Sequence, residues 1–193
     1  MSTGHPFVPG LVALLPASAA GGVTEWAHAM FDAGVDGLAV RGDARDPATR
    51  HLLAALRDAV LLPLELHIPE ALVAADAAWT EGLAESGLDW VVPGRPLPEP
   101  TVQRLEALGT GVAWPLAGAP ESAIRVHAWM PSPGRPPDFS RAPGGAERSV
   151  TVERPWEGDV PPAVGADTLV IPGDHLAPPD PGATVARWRG APG

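Results

Sequence analysis

Two short stretches, Ala33-Gly34-Val35-Asp36-Gly37-Leu38-Ala39-Val40 and Leu62-Pro63-Leu64-Glu65-Leu66-His67-Ile68, decide the reading of the fold. Each ends in a run of apolar residues short enough for a strand, at Gly37–Val40 and at Leu62–Ile68. Between them, Pro47–Ala59 places Leu52, Leu53 and Leu56 at the three- and four-residue spacing of a helix that buries one face. Strand, helix and strand in that order make a unit whose strands run parallel with a right-handed crossover.

Working outward, the alternation continues. Phe7–Leu15 is an apolar run, followed by a helix expected over Gly21–Ala33 with Thr24 as its cap and Trp26, Met30 and Phe31 on its buried side. A helix is expected over Glu70–Ser86, a strand at Trp90–Val92, a helix over Pro100–Leu108 and a strand at Gly111–Trp114. Beyond residue 115 the helical signal thins. Pro120–Ile124 has room for a turn or two, Val126–Met130 reads as a strand, and Pro131–Glu147 is rich in Pro, Gly and Arg. Ser149–Val152 is the next strand, Val160–Val164 a shrunken connection, Thr168–Ile171 a strand and Pro181–Trp188 a last helix. Eight strands predict a closed (β/α)8 barrel, and a doubly wound open sheet is the alternative. A full barrel usually takes about 250 residues. A chain of 193 residues, read as one domain over 1–193, must therefore have reduced or missing helices in its C-terminal half.

Composition limits the chemistry. The chain has no Cys, Tyr, Lys or Asn, and its 13 basic residues, all Arg, face 23 acidic ones. Lysine Schiff bases, lysine-held pyridoxal phosphate, the usual P-loop, thiolate nucleophiles and disulfides are excluded. A net charge of −10 argues against nucleic acid or an anionic membrane as partner. A GC-rich coding sequence accounts for the bias itself. No apolar run approaches the roughly 20 residues of a membrane span. Met1 to Gly10 lacks the basic start of a secretory leader, so a cytoplasmic protein is expected. No His-x-x-x-His pair, Gly-x-Ser-x-Gly elbow or Gly-x-Gly-x-x-Gly turn occurs.

The two opening stretches, together with Gly87-Leu88-Asp89-Trp90-Val91-Val92 and Val164-Gly165-Ala166-Asp167-Thr168-Leu169-Val170 followed by Pro179-Asp180-Pro181, resemble the ribulose-phosphate 3-epimerase family in collinear order over roughly residues 8 to 189. The resemblance implies a ribulose-phosphate-binding barrel. It also implies an epimerisation beside a carbonyl, in which two Asp exchange protons around a divalent metal. On the second strand the metal-binding His falls on Ala39 and the catalytic Asp on Arg41. On the third strand His67 matches the ligand His, with Glu65 on the same face. On the seventh strand Glu153 replaces the second catalytic Asp. An arginine where the ion would lie can pair with Glu153 or Glu65 and repels a cation, so neither a metal nor another cofactor is expected.

The family's phosphate loops are also altered. Met130-Pro131-Ser132-Pro133-Gly134-Arg135 keeps one Pro-Gly, Glu153-Arg154-Pro155-Trp156 replaces paired glycines, and Ile171-Pro172-Gly173-Asp174-His175 sets a carboxylate where an anion would sit. Arg135 and Arg154 can offset this if they face inward. Trp114, Trp129 and Trp156, with His127 nearby, either line an apolar pocket at the C-terminal strand ends or fill the core; Trp26, Trp79 and Trp188 are assigned to the core.

Two functions follow. The first is a metal-independent isomerase, epimerase or lyase acting by proton transfer on a non-phosphorylated, partly apolar small molecule. Its catalytic set is Arg41, Glu65, His67 and Glu153, and its binding set is Trp114, His127, Trp129, Arg135, Arg154, Trp156 and Asp174. The second is a non-catalytic member of that family that binds a ligand or a protein. In either case trimmed helices leave the face near residues 120–165 to be covered by a twin subunit or a partner protein. For Glu65 and His67 the reading also leaves open a purely structural role as satisfied polar residues.

Overall fold

A computed structural model describes residues 10–19, 21–74, 76–130, 137–152, 165–176 and 180–190. Its eight strands are β1 (Leu11–Leu14), β2 (Gly37–Arg41), β3 (Leu64–Ile68), β4 (Trp90–Pro93), β5 (Gly111–Pro115), β6 (Arg125–Met130), β7 (Glu147–Val152) and β8 (Thr168–Pro172). All pair in parallel in chain order, and β8 closes onto β1. Helices α1 (Val23–Ala33), α2 (Pro47–Ala59), α3 (Ala77–Glu85), α4 (Glu99–Ala107) and α5 (Pro181–Gly190) follow β1, β2, β3, β4 and β8. Residues 116–124 join β5 to β6 without a helix, and the described part of the β6–β7 connection holds only a 3-10 turn at Phe139–Arg141. The fold is the shortened (β/α)8 barrel that the strand count implies.

The repeated Gly-x-Asp step has a definite job at the N-terminal rim. Gly34, Gly87 and Gly165 sit at φ of 85°, 62° and 61°, a backbone that side chains other than Gly rarely adopt. Each turns the chain so that the following Asp reaches back to the neighbouring strand. Asp36 Oδ2 accepts the Leu11 N–H at 2.9 Å, Asp89 Oδ2 the Leu64 N–H at 2.8 Å, and Asp167 Oδ2 the Arg148 N–H at 2.8 Å. The steps that carry the family resemblance therefore stitch strand starts together, at the end of the barrel opposite the usual active site.

Local details depart from the sequence reading where a cap decides. α1 begins at Val23 behind Gly22, with no side-chain cap from Thr24. It buries Val23, Ala27 and Met30, which leaves Phe31 on its flank at 52% exposure. The expected helix at Glu70–Ser86 divides into a 3-10 turn, Glu70–Leu72, and α3, because Asp76 caps a new start by accepting the Trp79 N–H at 2.9 Å. α2 keeps the expected bounds, since Asp46 accepts the Ala48 N–H at 3.0 Å and Pro47 occupies the first turn.

The main core lies between the strands' outer faces and the helices, where Leu53, Leu56, Leu66, Trp79 and Leu105 are fully buried. On the shortened side, Ala123, Val126 and Ala146 are buried under Trp114, Leu116, Phe139 and Ala142. The chain's own residues thus cover Val126 on the outer face of β6. Among the described residues, the exposed large apolar side chains are Phe31, Leu61, Leu72 and Leu108. Inside the barrel, Val12, Leu14, Ala39 and Val170 form one apolar cluster and Trp90, Val92 and Ala113 another. Trp90 fits only because Gly111 faces it, as a Cβ there would lie 2.6 Å from its ring.

Candidate active site

The other side of the barrel interior is polar. Period-two alternation sends Glu65 and His67 inward from β3, Arg125, His127 and Trp129 from β6, and Ser149 and Thr151 from β7. Glu65, His67, Arg125, Ser149 and Thr151 are fully buried, and His127 is 1% exposed.

A hydrogen-bonded chain crosses the interior. Arg125 Nη1 donates to Glu65 Oε1 at 2.6 Å, while its guanidinium lies 5.0 Å from the centre of the Trp90 ring. His67 Nε2 lies 2.9 Å from Glu65 Oε2, and Thr151 Oγ1 lies 3.3 Å from His67 Nδ1. Burial alone would raise the Glu65 carboxyl, but the charge of Arg125 and the hydrogen bond from His67 overcome it and hold the group at about 2. Glu65 is therefore a carboxylate, an acceptor only, so His67 carries its proton on Nε2 and accepts from Thr151 at Nδ1. Burial lowers the His67 pKa, opposed by Glu65 and reinforced by Arg125 and Arg41, which makes it a neutral imidazole. Both of its nitrogens are spoken for.

Three rings pack together, one of them the His67 of this hydrogen-bonded chain. His67, His127 and Trp129 meet edge to face with centroids 5.4 Å, 5.5 Å and 5.0 Å apart. Arg41, exposed at the rim on β2, lies 4.7 Å over Trp129. His127 Nδ1 lies 2.8 Å from Ser149 Oγ. Burial pushes its pKa well below the ordinary histidine value, with His67 and Arg125 adding to the shift.

The structure brings Glu65, His67 and His127 together inside the barrel, with Arg41 and Trp129 towards the C-terminal ends of β2 and β6. It separates two others from them. Trp114 points outward and packs half-buried on the covering loops, because it pairs with Val126, also an outward residue. Asp174 sits exposed in the 3-10 turn Gly173–Leu176, where it accepts a hydrogen bond from Ser18 at 3.2 Å. It borders a groove of about 390 Å³ with Pro16, Trp26, Met30 and Pro181, outside the barrel interior. Glu153, Arg135, Arg154 and Trp156 lie outside the described residues, as does the side chain of Trp188. The buried cation that pairs with Glu65 is Arg125, where the sequence suggested Arg41. Arg125, Ser149 and Thr151 escaped the sequence reading. Their signal was the alternation Arg125-Val126-His127-Ala128-Trp129, which sets three large polar or aromatic residues on one face of a strand.

The divalent metal implied by the family resemblance does not suit these donors. Ala39 offers no ligand, His67 has both nitrogens engaged, and among the described residues no three His, Cys, Asp or Glu side chains converge.

No family model and no curated protein matches the sequence. Solved structures do match. An uncharacterized B. cereus protein superposes with a TM-score of 0.62 at 14% identity, over 96% of this chain and 66% of its own. The tryptophan synthase alpha chain from Legionella pneumophila subsp. pneumophila gives a TM-score of 0.62 at 12% identity, over 94% of this chain and 90% of its own. A cube-shaped, porous protein cage designed by fusing symmetric oligomeric domains gives 0.61 at 14% identity, over 93% of this chain and 72% of its own. This chain thus spans just under two thirds of the B. cereus protein. At such identities the likeness establishes the barrel and nothing about its chemistry.

Proposed function

We propose that the chain is a small-molecule enzyme, an isomerase, epimerase or lyase of ribulose-phosphate-binding-barrel descent, that moves a proton at the C-terminal mouth without a metal. The observation that carries this reading is the set of buried polar groups in the barrel interior beneath that mouth. A buried Arg–Glu pair and two neutral imidazoles cost desolvation energy, and apolar side chains of similar volume would stabilise the barrel as well or better. Arg41 at the rim supplies a cation for a carboxylate or a developing oxyanion. Glu65, ionised and saturated by Arg125 and His67, is a poor proton acceptor and acts as a positioning residue, and with both His67 nitrogens engaged the neutral His127 imidazole is the group that takes the proton. Asp174 sets a carboxylate after β8 and does not favour a phosphate there.

One observation favours the second reading, a barrel that binds without catalysis: the Trp129 ring lies over both imidazoles. Solvent exchange separates the two. The protein would be incubated in D2O with non-phosphorylated α-hydroxy acids and ketoses, and the loss of C–H signals followed by proton NMR. The enzyme reading expects exchange in at least one compound and loss of that exchange in Arg41→Met. Saturable binding with no exchange in any compound would transfer the conclusion to a binding barrel.

A further inference from the structure

Outside the barrel interior, the groove of about 390 Å³ beside Asp174 opens where the loop after β1, helix α1 and the 3-10 turn after β8 meet. Its walls are apolar. Trp26, Ala29 and Met30, three and four residues apart, share one face of α1, and Pro16, Leu176 and Pro181 complete the apolar lining. The half-buried Trp26 ring is braced at Gly173, where a Cβ would lie 3.0 Å from the indole and 2.9 Å from Pro16 Cδ. The charge on the lining has one sign. Glu25 and Asp174 are both exposed carboxylates, and neither Arg nor His lines the groove. Ser18 Oγ gives its proton to Asp174 Oδ1 at 3.2 Å, so these three side chains offer a ligand acceptors only. His175, next to Asp174, is kept neutral at pH 7 by burial.

We propose that this groove binds a small organic cation, a primary ammonium carried on an aromatic body. The ammonium brings positive charge and three N–H donors to a lining that holds two negative charges and accepts hydrogen bonds. The aromatic body lies along Trp26, Met30 and Leu176, which a hydrated ion would leave uncovered. A bare metal ion does not suit the site, because such ions take several converging oxygens and, among the described residues, no three acidic or His side chains converge. An organic anion meets two like charges there. The groove's volume is within the range of small-molecule sites. This site stands apart from the proton transfer proposed for the barrel interior and does not depend on it.

The probe is 2-phenylethylamine, compared with 2-phenylethanol, which keeps the body and lacks the charge, and with ethylamine, which keeps the charge and lacks the ring. Binding would be measured on the full chain by NMR titration in about 0.15 M salt, where the general attraction of a chain of net charge −10 is screened. The amine is expected to bind saturably, at least about fivefold tighter than the alcohol, the scale of an ion pair at a partly exposed site. It should exceed ethylamine by at least about tenfold, the scale of burying the ring. Glu25→Gln with Asp174→Asn keeps the shape of both exposed side chains and should bring the amine down to the level of the alcohol. Ala29→Arg, at an exposed position on the groove, adds bulk and a cation and should abolish binding of the amine. Equal binding of amine and alcohol, or an amine preference that persists in the double variant, would overturn the role of the carboxylates and with it the ligand class. Binding that survives Ala29→Arg would overturn the placement in this groove, and absence of binding by the amine would overturn the proposal outright.

Discussion

Replacing Arg125 by Met leaves Glu65 fully buried without its cation, and the size of the penalty can be worked out from its ionisation. In the native protein the carboxyl titrates at about 2, against 4.5 for the ordinary group. Without Arg125, burial is the dominant influence and drives the group to protonate in the folded state. Holding a proton at pH 7 on a group of ordinary pKa 4.5 costs about 1.4 kcal/mol per pH unit, so about 3.4 kcal/mol, in line with the 3–5 kcal/mol typical of breaking a buried pair. The sign of the pH dependence follows. Between pH 7 and 4.5 the folded variant binds a proton at Glu65 that the unfolded chain does not, so this contribution favours the fold as pH falls and the variant's deficit against the native protein shrinks. Urea unfolding followed by tryptophan fluorescence at pH 7 and pH 5.5 measures both quantities. The deficit is expected near 3–4 kcal/mol at pH 7 and smaller by about 2 kcal/mol at pH 5.5. The double variant Arg125→Met with Glu65→Leu should recover most of it. A deficit below about 1 kcal/mol, or one independent of pH, would refute the buried ion pair.

Three further outcomes are expected. Because the pKa values of His67 and His127 are lowered on folding, the unfolded chain binds their protons first, so native stability is full above about pH 6.5 and falls as pH drops; the slope is about 1.4 kcal/mol per pH unit for each imidazole that stays neutral in the fold, and Glu65 adds to it below 4.5. A flat urea midpoint between pH 7 and 5 would contradict it. Asp89→Ala removes the acceptor for the Leu64 N–H and the partner of Arg57 at 2.8 Å, and should cost about 1.5–3 kcal/mol by thermal or urea unfolding, with no change in ligand binding. Gly111→Ala drives a methyl into the Trp90 ring and should cost about 1–3 kcal/mol, with a shift in tryptophan emission.

How far the sequence could be read follows from which interactions are local. Helix α2 was legible to the residue, since Asp46, Pro47 and the leucine spacing all lie within one segment. The Gly-x-Asp steps were legible as a pattern, but their meaning needed the neighbouring strand, because Asp36, Asp89 and Asp167 each bond a backbone N–H of the strand before. Glu65, His67 and His127 were identified as candidates by residue type. Their roles were not, because roles here depend on pairs 60 and 84 residues apart, Arg125 with Glu65 and Thr151 with His67. Arg125 was missed because β6 was expected to start one residue later, and Trp114 was placed in the mouth because strand parity cannot be assigned without the register that pairs Ala113 with Arg125. Ser149 and Thr151, small and polar, look in sequence like the wet side of a strand.

The protonation of the two barrel imidazoles tests the account most directly. Long-range proton–nitrogen NMR correlation on the nitrogen-15-labelled, ligand-free protein at pH 7 reads which ring nitrogen of His67 and of His127 carries hydrogen. Two neutral rings are predicted, His67 protonated on Nε2 and His127 on Nδ1, each held by its own neighbours: Ser149 Oγ gives its only proton to the Val126 carbonyl, which leaves it an acceptor for His127 Nδ1. A charged ring, or the same tautomer in both, would contradict the hydrogen-bond chain on which the site and its proposed chemistry rest.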